Sequence, residues 1–152
     1  MADVQVREIV EDDLPAIVEL LRELSAQAHT NVGLNLEHAR RIHMAMGRDS
    51  GLYKNMVAVT DGKIVGFLSM VYYKSFYHQV GTALINELVV SEARRNEGIG
   101  KVLVRMAVDM AKADGLDEIG VGTETSNKGA IEFYKKAGFT EEYVLLGKEF
   151  TG

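Results

Sequence analysis

The chain of 152 residues contains no cysteine. Disulfide bonds and thiolate metal sites are therefore excluded, and so is a catalytic cysteine that would carry a covalent intermediate. The chain also lacks an excess of basic residues: its formal net charge is -5, and no cluster of lysine and arginine forms a stripe. This charge balance argues against nucleic acid or an anionic membrane as the main partner.

Long apolar runs and low-complexity segments are missing as well. No apolar run approaches the length of a membrane span, and the first residues do not combine a basic region with an apolar core. We therefore expect no signal peptide and a cytoplasmic location. Hydrophobic residues make up 47% and charged residues 26%, which is typical of a globular protein. Without a repeat or a linker-like stretch, we predict one domain over residues 1–152.

Periodicity and turn residues predict an alternation of strands and helices. Asp61-Gly62 indicates a hairpin, because both residues tolerate the positive φ angles of a two-residue turn. The predicted strands are Val4–Val10, Met56–Thr60, Lys63–Tyr73, Ala83–Val90, Glu118–Thr123 and Tyr143–Phe150. The predicted helices begin at Asp12-Asp13 with Pro15 behind them, span Leu36–Met46, follow Gly100 as far as Gly115, and span Asn127–Ala137. The order β-α-α-β-β-β-α-β-α-β predicts an α/β domain with a mixed sheet.

A glycine-rich turn, RRNEGIG at residues 94–100, joins a predicted strand to a helix. It is not a P-loop, because Val102 replaces the hydroxyl residue and the upstream glycine is missing. It is not a dinucleotide fingerprint either, because Leu103 occupies the third glycine position. The glycines still allow close approach to the backbone, and helix N-terminal amides favour a phosphate or pyrophosphate. An ordinary turn that caps a helix, with two solvated arginines beside it, explains the same residues.

Two motifs together resemble the GNAT superfamily of acyl-coenzyme A-dependent N-acetyltransferases. Arg95 to Gly100 matches the pattern (R/Q)-x-x-G-x-(G/A) and follows the strand residues ELVV at 87–90. Asn127 to Phe139 matches N-x-x-A-x-x-F-Y-x-x-x-G-F. The order of elements matches over the whole chain, and the small-amine and aminoalkylphosphonate branch is loosely similar. The resemblance implies a single-domain fold whose mixed, mostly antiparallel central sheet is flanked by about four helices.

The resemblance implies acetyl-coenzyme A as a co-substrate and no metal. The pyrophosphate would lie on the glycine turn and the start of the next helix, and the pantetheine arm would pair with the strand before the turn. The residues that this assigns to cofactor binding are Leu88, Val89, Val90, Arg94, Arg95, Asn96, Gly98, Ile99, Gly100, Lys101, Asn127 and Tyr134.

The resemblance also implies two catalytic residues. Tyr134 corresponds to a general acid that protonates the leaving thiolate, although a core aromatic is the alternative reading. Glu87 lies in a strand of buried character and corresponds to a base that acts directly or through water; a glutamate on a solvated strand face is the alternative. Because the chain has no cysteine, we expect direct attack by the amine in a ternary complex. The Val89 N–H is the expected donor to the thioester carbonyl.

The expected acceptor is a primary amine of a small molecule. Thr30–Asn35 and Tyr72–Gly81 correspond to the segments that shape the acceptor pocket in the family, and the second is rich in aromatic residues. His38 and His43 are expected on different faces of a helix, so they predict no metal site. Family resemblance also implies a homodimer. Three alternatives remain: acetylation of a protein N-terminus or lysine, a non-catalytic acetyl-coenzyme A sensor, and a nucleotide-binding protein.

Overall fold

Five strands form one sheet in the computed structural model, which describes residues 3–28, 33–49 and 51–150. The strands are β1 (Gln5–Glu8), β2 (Tyr53–Thr60), β3 (Lys63–Tyr73), β4 (Thr82–Val90) and β5 (Glu118–Val121). The helices are α1 (Leu14–Ala28), α2 (Leu36–Arg48), α3 (Ile99–Ala113) and α4 (Lys128–Lys136), and 3-10 turns span Glu11–Asp13 and Glu92–Arg94. The predicted α/β fold class with a mixed sheet and four helices is confirmed.

Strand β4 has a different partner on each side. The first four strands pair antiparallel in chain order, whereas β5 runs parallel to β4. Ser69 pairs with Glu87 but Met70 pairs with Ile85, so Asn86 is the extra residue of a β-bulge. The pairing with β5 ends at Ile85, before the bulge. Within the described chain, the second half of β4 therefore has a strand on one side only.

The two faces of the sheet carry two separate hydrophobic cores. On one face, α3 packs Ile99 and Leu103 against Leu68 and Met70, and α4 adds Tyr134. On the other face, α1 packs against a row of buried residues, and that cluster consists of Leu14, Ile17, Leu20, Val57, Phe67 and Val89. Successive side chains of a strand point to opposite faces, so β4 contributes to both cores. The site described below therefore depends on which face of β4 a side chain points to and on which edge of β4 is unpaired.

The start of α1 is fixed by an ion pair to β1. The Asp13 carboxylate accepts hydrogen bonds from both terminal nitrogens of Arg7, at 2.8 and 2.9 Å, and from the Val10 N–H at 2.8 Å. The Arg7 guanidinium lowers the pKa of the buried Asp13 carboxyl. Pro15 follows in the first turn of the helix, where its missing N–H costs nothing. The predicted helix start is confirmed.

The predicted last strand, Tyr143–Phe150, does not form. Its backbone makes no hydrogen bond within the described chain, and Tyr143, Val144, Leu145 and Leu146 are more than 70% exposed, at 73%, 87%, 82% and 88%. Only side chains connect the segment to the sheet edge: the Tyr143 hydroxyl donates to Glu118 Oε2 at 2.9 Å. The run does not alternate apolar and polar residues and is interrupted by Gly147, so no single face of it would be buried by pairing with β5.

Helix α3 approaches β3 closely at Gly66. A Cβ on this residue would lie 2.9 Å from Leu103 Cδ1 and 3.1 Å from Ile99 Cγ2. Both distances are shorter than ordinary van der Waals contacts, so the helix can reach this position only because Gly66 has no side chain. Since Ile99 is the first residue of α3, the same contact also fixes where the glycine turn meets the sheet.

We expect Gly66→Ala to lower the free energy of unfolding by about 1–3 kcal/mol, because the added methyl group overpacks the interface between α3 and β3. Urea denaturation measures this change. Gly47→Ala is the matched control: Gly47 lies in α2 with nothing within 4 Å of an added Cβ. Its replacement should stabilise the helix by up to about 1 kcal/mol. Equal stabilities of the two variants would contradict the close-approach interpretation.

Candidate active site

The turn after β4 ends in an uncapped helix N-terminus. Asn96 and Gly98 adopt positive φ angles of 66° and 82°, and Gly98 is the N-cap of α3. The first helical hydrogen bond runs from the Val102 N–H to the Gly98 carbonyl, at 3.1 Å. The N–H groups of the first turn precede this bond and lack a partner inside the helix. Since this turn has no side-chain cap and no acidic residue, it can bind an anion.

Charged side chains make hydrogen bonds in the segment that leads from β4 to this turn. Arg94 Nε donates to Glu97 Oε2 at 2.9 Å, which bridges the loop from one end to the other. The Glu92 N–H donates to Glu23 Oε2 at 3.0 Å, which ties α1 to the 3-10 turn. Arg95 completes the path from this 3-10 turn to Gly98. Residues 94–101 thus run from the 3-10 turn into the start of α3, where Gly98 is the N-cap and Ile99 is buried.

Helix α4 lies against the same turn. Its Phe133 Cζ lies 3.5 Å from the position that a Cβ on Gly100 would take, which is an ordinary contact. Asn127 is the N-cap of α4, and its Oδ1 accepts from the Ala130 N–H at 3.1 Å. The glycine motif and the Asn127 motif, which are separate in sequence, are thus packed together through Phe133.

Tyr134 is buried in α4. It makes edge contacts with the rings of Phe133 and Phe139, at centroid distances of 5.1 and 5.5 Å. Its hydroxyl makes no hydrogen bond within the described residues, and burial raises the pKa of Tyr134 to about 12. The Tyr134 hydroxyl is therefore protonated at neutral pH, and its O–H is available to donate a proton, as a general acid requires.

The outer edge of β4 exposes backbone N–H groups beyond the point where β5 diverges. Alternate residues of an antiparallel strand point their N–H and C=O groups toward the same partner. The Ser91 N–H donates to the Val65 carbonyl at 2.8 Å, on the β3 side. Two residues earlier in the same register, Val89 therefore points its N–H to β3 as well. Leu88 and Val90 point theirs to the outer edge, where β5 no longer pairs.

This register corrects one expectation. The Val89 N–H does not fit the predicted role of donor to a ligand, because β3 lies on its side of the strand. The sequence alone could not give the side of the strand that the Val89 N–H faces, because this depends on the register and on the bulge at Asn86.

A cavity of 410 Å³ lies on the face of the sheet that α1 covers. Asn55, Ser69 and Glu87 are paired neighbours on β2, β3 and β4, so they form a row of polar side chains on the cavity floor. The Ser69 hydroxyl donates to Asn55 Oδ1 at 2.5 Å, and Asn55 Nδ2 donates to Met46 Sδ at 3.3 Å. Two members of the row are therefore already hydrogen-bonded.

Glu87 is the third member of the row and the unpaired one. It is half-buried, and within the described chain its carboxylate has neither a hydrogen bond nor an ion pair. Burial raises the pKa of the Glu87 carboxyl, because a charge is less favourable away from water. A carboxylate in this state is a stronger base than one in water, and it faces a cavity that a small molecule can enter.

The aromatic segment Tyr72–Gly81 does not line this cavity. Phe76 and Tyr77 are exposed, and the Tyr72 hydroxyl donates to Asp114 Oδ2 at 2.7 Å, near the end of α3. The segment therefore does not contribute to the wall of this cavity, which comes mainly from α1 and α2, and its role in shaping an acceptor pocket stays a prediction. In the other predicted segment, residues 30–32 lie outside the described residues, and Leu34 borders the cavity.

His38 and His43 both border the cavity, although their spacing had suggested different helical faces. The described part of the chain contains no group of three or more metal-ligating side chains. In the ranges 3–28, 33–49 and 51–150, no helix is both long and apolar enough to cross a membrane.

A family model described as "Acetyltransferase (GNAT) family" matches residues 15–139. The chain belongs to this family. The matched range includes α1, the sheet from β2 onward, the glycine turn and α4. The family expected from the two sequence motifs is therefore confirmed.

Individual relatives of this GNAT protein agree with the family. An uncharacterized N-acetyltransferase of Methanocaldococcus jannaschii is 40% identical over 94 residues, which are 60% of this chain and 41% of the relative. Streptothricin acetyltransferase of Streptomyces lavendulae is 32% identical over 95 residues, which are 62% of this chain and 48% of the relative. The matches thus span less than half of each relative.

The fold also matches a solved acetyltransferase. The crystal structure of glucosamine-6-phosphate N-acetyltransferase from Arabidopsis thaliana superposes with a TM-score of 0.82. It is 23% identical, and the match covers 98% of this chain and 99% of that chain. At this identity the similarity establishes the fold.

We expect Glu87→Gln to be more stable than the wild type at neutral pH. The folded-state pKa of Glu87 is raised, so the wild type loses stability as the pH rises from the ordinary glutamate value of 4.5 through the raised value. Glutamine does not ionise, and its advantage should grow over that window. Free energies of unfolding from urea titrations at several pH values measure the difference.

Glu8→Gln is the control, because Glu8 is an exposed carboxylate on β1. This variant removes a carboxylate from the surface, so it controls for the loss of a carboxylate that is not half-buried. If the advantage of Glu87→Gln over the wild type were constant with pH, the buried carboxylate would not be ionising in this range.

Proposed function

We propose that this GNAT protein transfers the acetyl group of acetyl-coenzyme A to a primary amine of a small molecule, by direct attack in a ternary complex. One observation carries the proposal: β4 provides both an unpaired carboxylate in the cavity, Glu87, and unpaired N–H groups at its outer edge. On this proposal a single strand would hold the acceptor and the cofactor within a few residues of each other.

The residues of the turn fit a pyrophosphate. The uncapped amides of Ile99, Gly100 and Lys101 would donate to its oxygens, and no acidic side chain lies in that first turn to repel it. A Cβ on Gly98 would meet nothing within 4 Å, so the surface over the N-cap is open to a ligand. Arg94, Arg95 and Asn96 border this surface.

The outer edge of β4 fits the amide groups of a pantetheine arm. Leu88 and Val90 would pair with the arm as they would with an added strand. Asn127 and Tyr134 of α4 would lie beside the arm. The outward N–H groups of Leu88 and Val90 also replace Val89 as the donors that would polarise a thioester carbonyl.

Acetyl-coenzyme A supplies the acyl group as a thioester. Glu87 would accept a proton from the ammonium form of the acceptor, directly or through water, because only the neutral amine has a lone pair for attack. The Tyr134 hydroxyl would donate its proton to the departing sulfur, since a phenol with a pKa of about 12 remains protonated until then. Neither step requires a covalent enzyme intermediate, in keeping with the absence of cysteine.

The cavity supports a small molecule over a protein acceptor. Its volume of 410 Å³ lies within the range of small-molecule pockets. Streptothricin acetyltransferase and glucosamine-6-phosphate N-acetyltransferase, by their names, act on small molecules, which agrees with this choice.

Two measurements test the proposal together. Thermal unfolding with and without acetyl-coenzyme A should show a rise in Tm with the cofactor, and ATP or NAD should give none. Release of free thiol over a panel of amines and peptides should then show turnover with small amines. Absence of a shift with acetyl-coenzyme A would contradict the assignment, and a shift without any turnover would favour a sensor.

We expect Tyr134→Phe to lower turnover by about 10²–10⁴-fold while the Kd for acetyl-coenzyme A stays within a few fold, because the variant removes only the proton donor. Steady-state thiol release and calorimetric titration measure the two quantities. Tyr143→Phe is the control, since Tyr143 is exposed and its hydroxyl bonds to Glu118 at the sheet edge. Full turnover by Tyr134→Phe would remove this residue from the mechanism.

A further inference from the structure

The cavity on the α1 face has an apolar wall and a narrow polar floor. Its apolar lining comes from both helices and from the sheet, and consists of Ile9, Leu14, Ile17, Val18, Leu21, Leu24, Leu34, Ala39, Ile42, Met46 and Phe67. Its polar lining consists of His38, His43, Asn55, Ser69 and Glu87. The next row of the sheet beyond the polar floor is apolar as well: Val57, Phe67 and Val89 pair across the same three strands.

The described lining contains one carboxylate, Glu87, and two histidines, His38 and His43. Glu87 can pair with one ammonium group, while Asn55 and Ser69 already bond to each other. The described lining contains no lysine or arginine, so it offers no permanent cation to a phosphate or a carboxylate.

This inventory argues against two kinds of acceptor: the sugar phosphate that the name of glucosamine-6-phosphate N-acetyltransferase suggests, and any compound with several amines, such as an aminoglycoside. A sugar phosphate would place a dianion among apolar side chains without an arginine or lysine partner. An aminoglycoside carries several ammonium groups, and only one of them could pair with Glu87. Burying an unpaired charge costs several kcal/mol in a real protein interior, so either ligand would bind poorly in this cavity.

We propose that the acceptor is a primary monoamine on an apolar body, an alkyl or aryl group, with its amine at Glu87 and its body against α1, α2 and Phe67. The inference rests on the proposed function and specifies its substrate class. The apolar body would gain affinity from burial against the helices, and the single amine would use the one unpaired acidic group of the floor.

A chain-length series tests the apolar body. The value of kcat/KM for acetylation should rise about fourfold for each methylene from n-propylamine to n-heptylamine, the factor that corresponds to about 0.8 kcal/mol per buried CH2. n-Heptylamine should also exceed 1,6-diaminohexane, which has the same number of heavy atoms, by at least about a hundredfold, because the second ammonium would be buried without a partner. A flat series, or a preference for the diamine, would overturn the inference.

Two variants of α2 test whether the preference for n-heptylamine over 1,6-diaminohexane arises in this cavity. Ile42 borders the cavity and is 42% exposed, so Ile42→Glu adds a carboxylate to the apolar wall without emptying the core. It should reduce the preference for n-heptylamine over 1,6-diaminohexane at least about tenfold, by pairing with the second ammonium. Met44 is 64% exposed and lies two residues away, outside the lining. Met44→Glu should keep the wild-type preference, and equal effects of the two variants would overturn the inference.

A binding measurement separates this inference from the proposed function. Calorimetric titration of the same amines into the protein with coenzyme A present requires no turnover. Affinity that rises with chain length supports the apolar acceptor site. If thiol release then detects no acetylation, that second result contradicts the proposed function and leaves the apolar acceptor site standing. Turnover that is fastest with glucosamine 6-phosphate or an aminoglycoside would preserve the proposed function and overturn the substrate class.

Discussion

The divergence of β5 from β4 is the constraint on which the candidate site depends. Pairing between these strands ends at Ile85, and the bulge at Asn86 follows at once. A bulge adds a residue on one strand and bends it, so the backbone beyond it no longer continues the pairing with β5. The N–H groups of Leu88 and Val90 consequently remain unpaired at the strand edge. Without this divergence, β4 would be an interior strand with no backbone N–H available to a ligand at its outer edge.

The bulge has a second consequence, on the faces of the strand. Side chains alternate along a strand, and an extra residue shifts the alternation by one. Ile85, before the bulge, joins the core under α3, whereas Glu87, after it, faces the cavity beside α1. Thus one strand contributes to a hydrophobic core, to an edge with unpaired N–H groups and to the cavity beside α1. The contact of Gly66 with Ile99 then fixes the start of α3 at the end of the same strand.

The sequence predicted the features that depend on local chemistry. Asp61 and Gly62 both adopt positive φ, and helices begin at the glycine turn and next to Asn127, because each of these places needs a particular residue type, although α3 starts at Ile99 and so includes Gly100. It did not predict features that need a partner. The strand expected at Tyr143–Phe150 has suitable residues but no pairing, and the cavity is assembled from α1, α2 and three strands that are far apart in sequence. The aromatic residues near Tyr77 do not line this cavity, which the composition of their segment could not reveal.

Under the proposed function, the apolar lining of the cavity would also affect the proton transfer that precedes acetyl transfer. An amine must lose a proton before it attacks, and in water an alkylammonium holds that proton tightly. Within apolar surroundings the neutral forms of both groups are favoured: the pKa of an amine falls and the pKa of Glu87 rises. The two shifts reduce the free energy needed to move a proton from the ammonium to the carboxylate. A wall built to hold an apolar body would therefore also help to generate the nucleophile, whereas a polar wall would stabilise the ammonium ion and oppose the reaction.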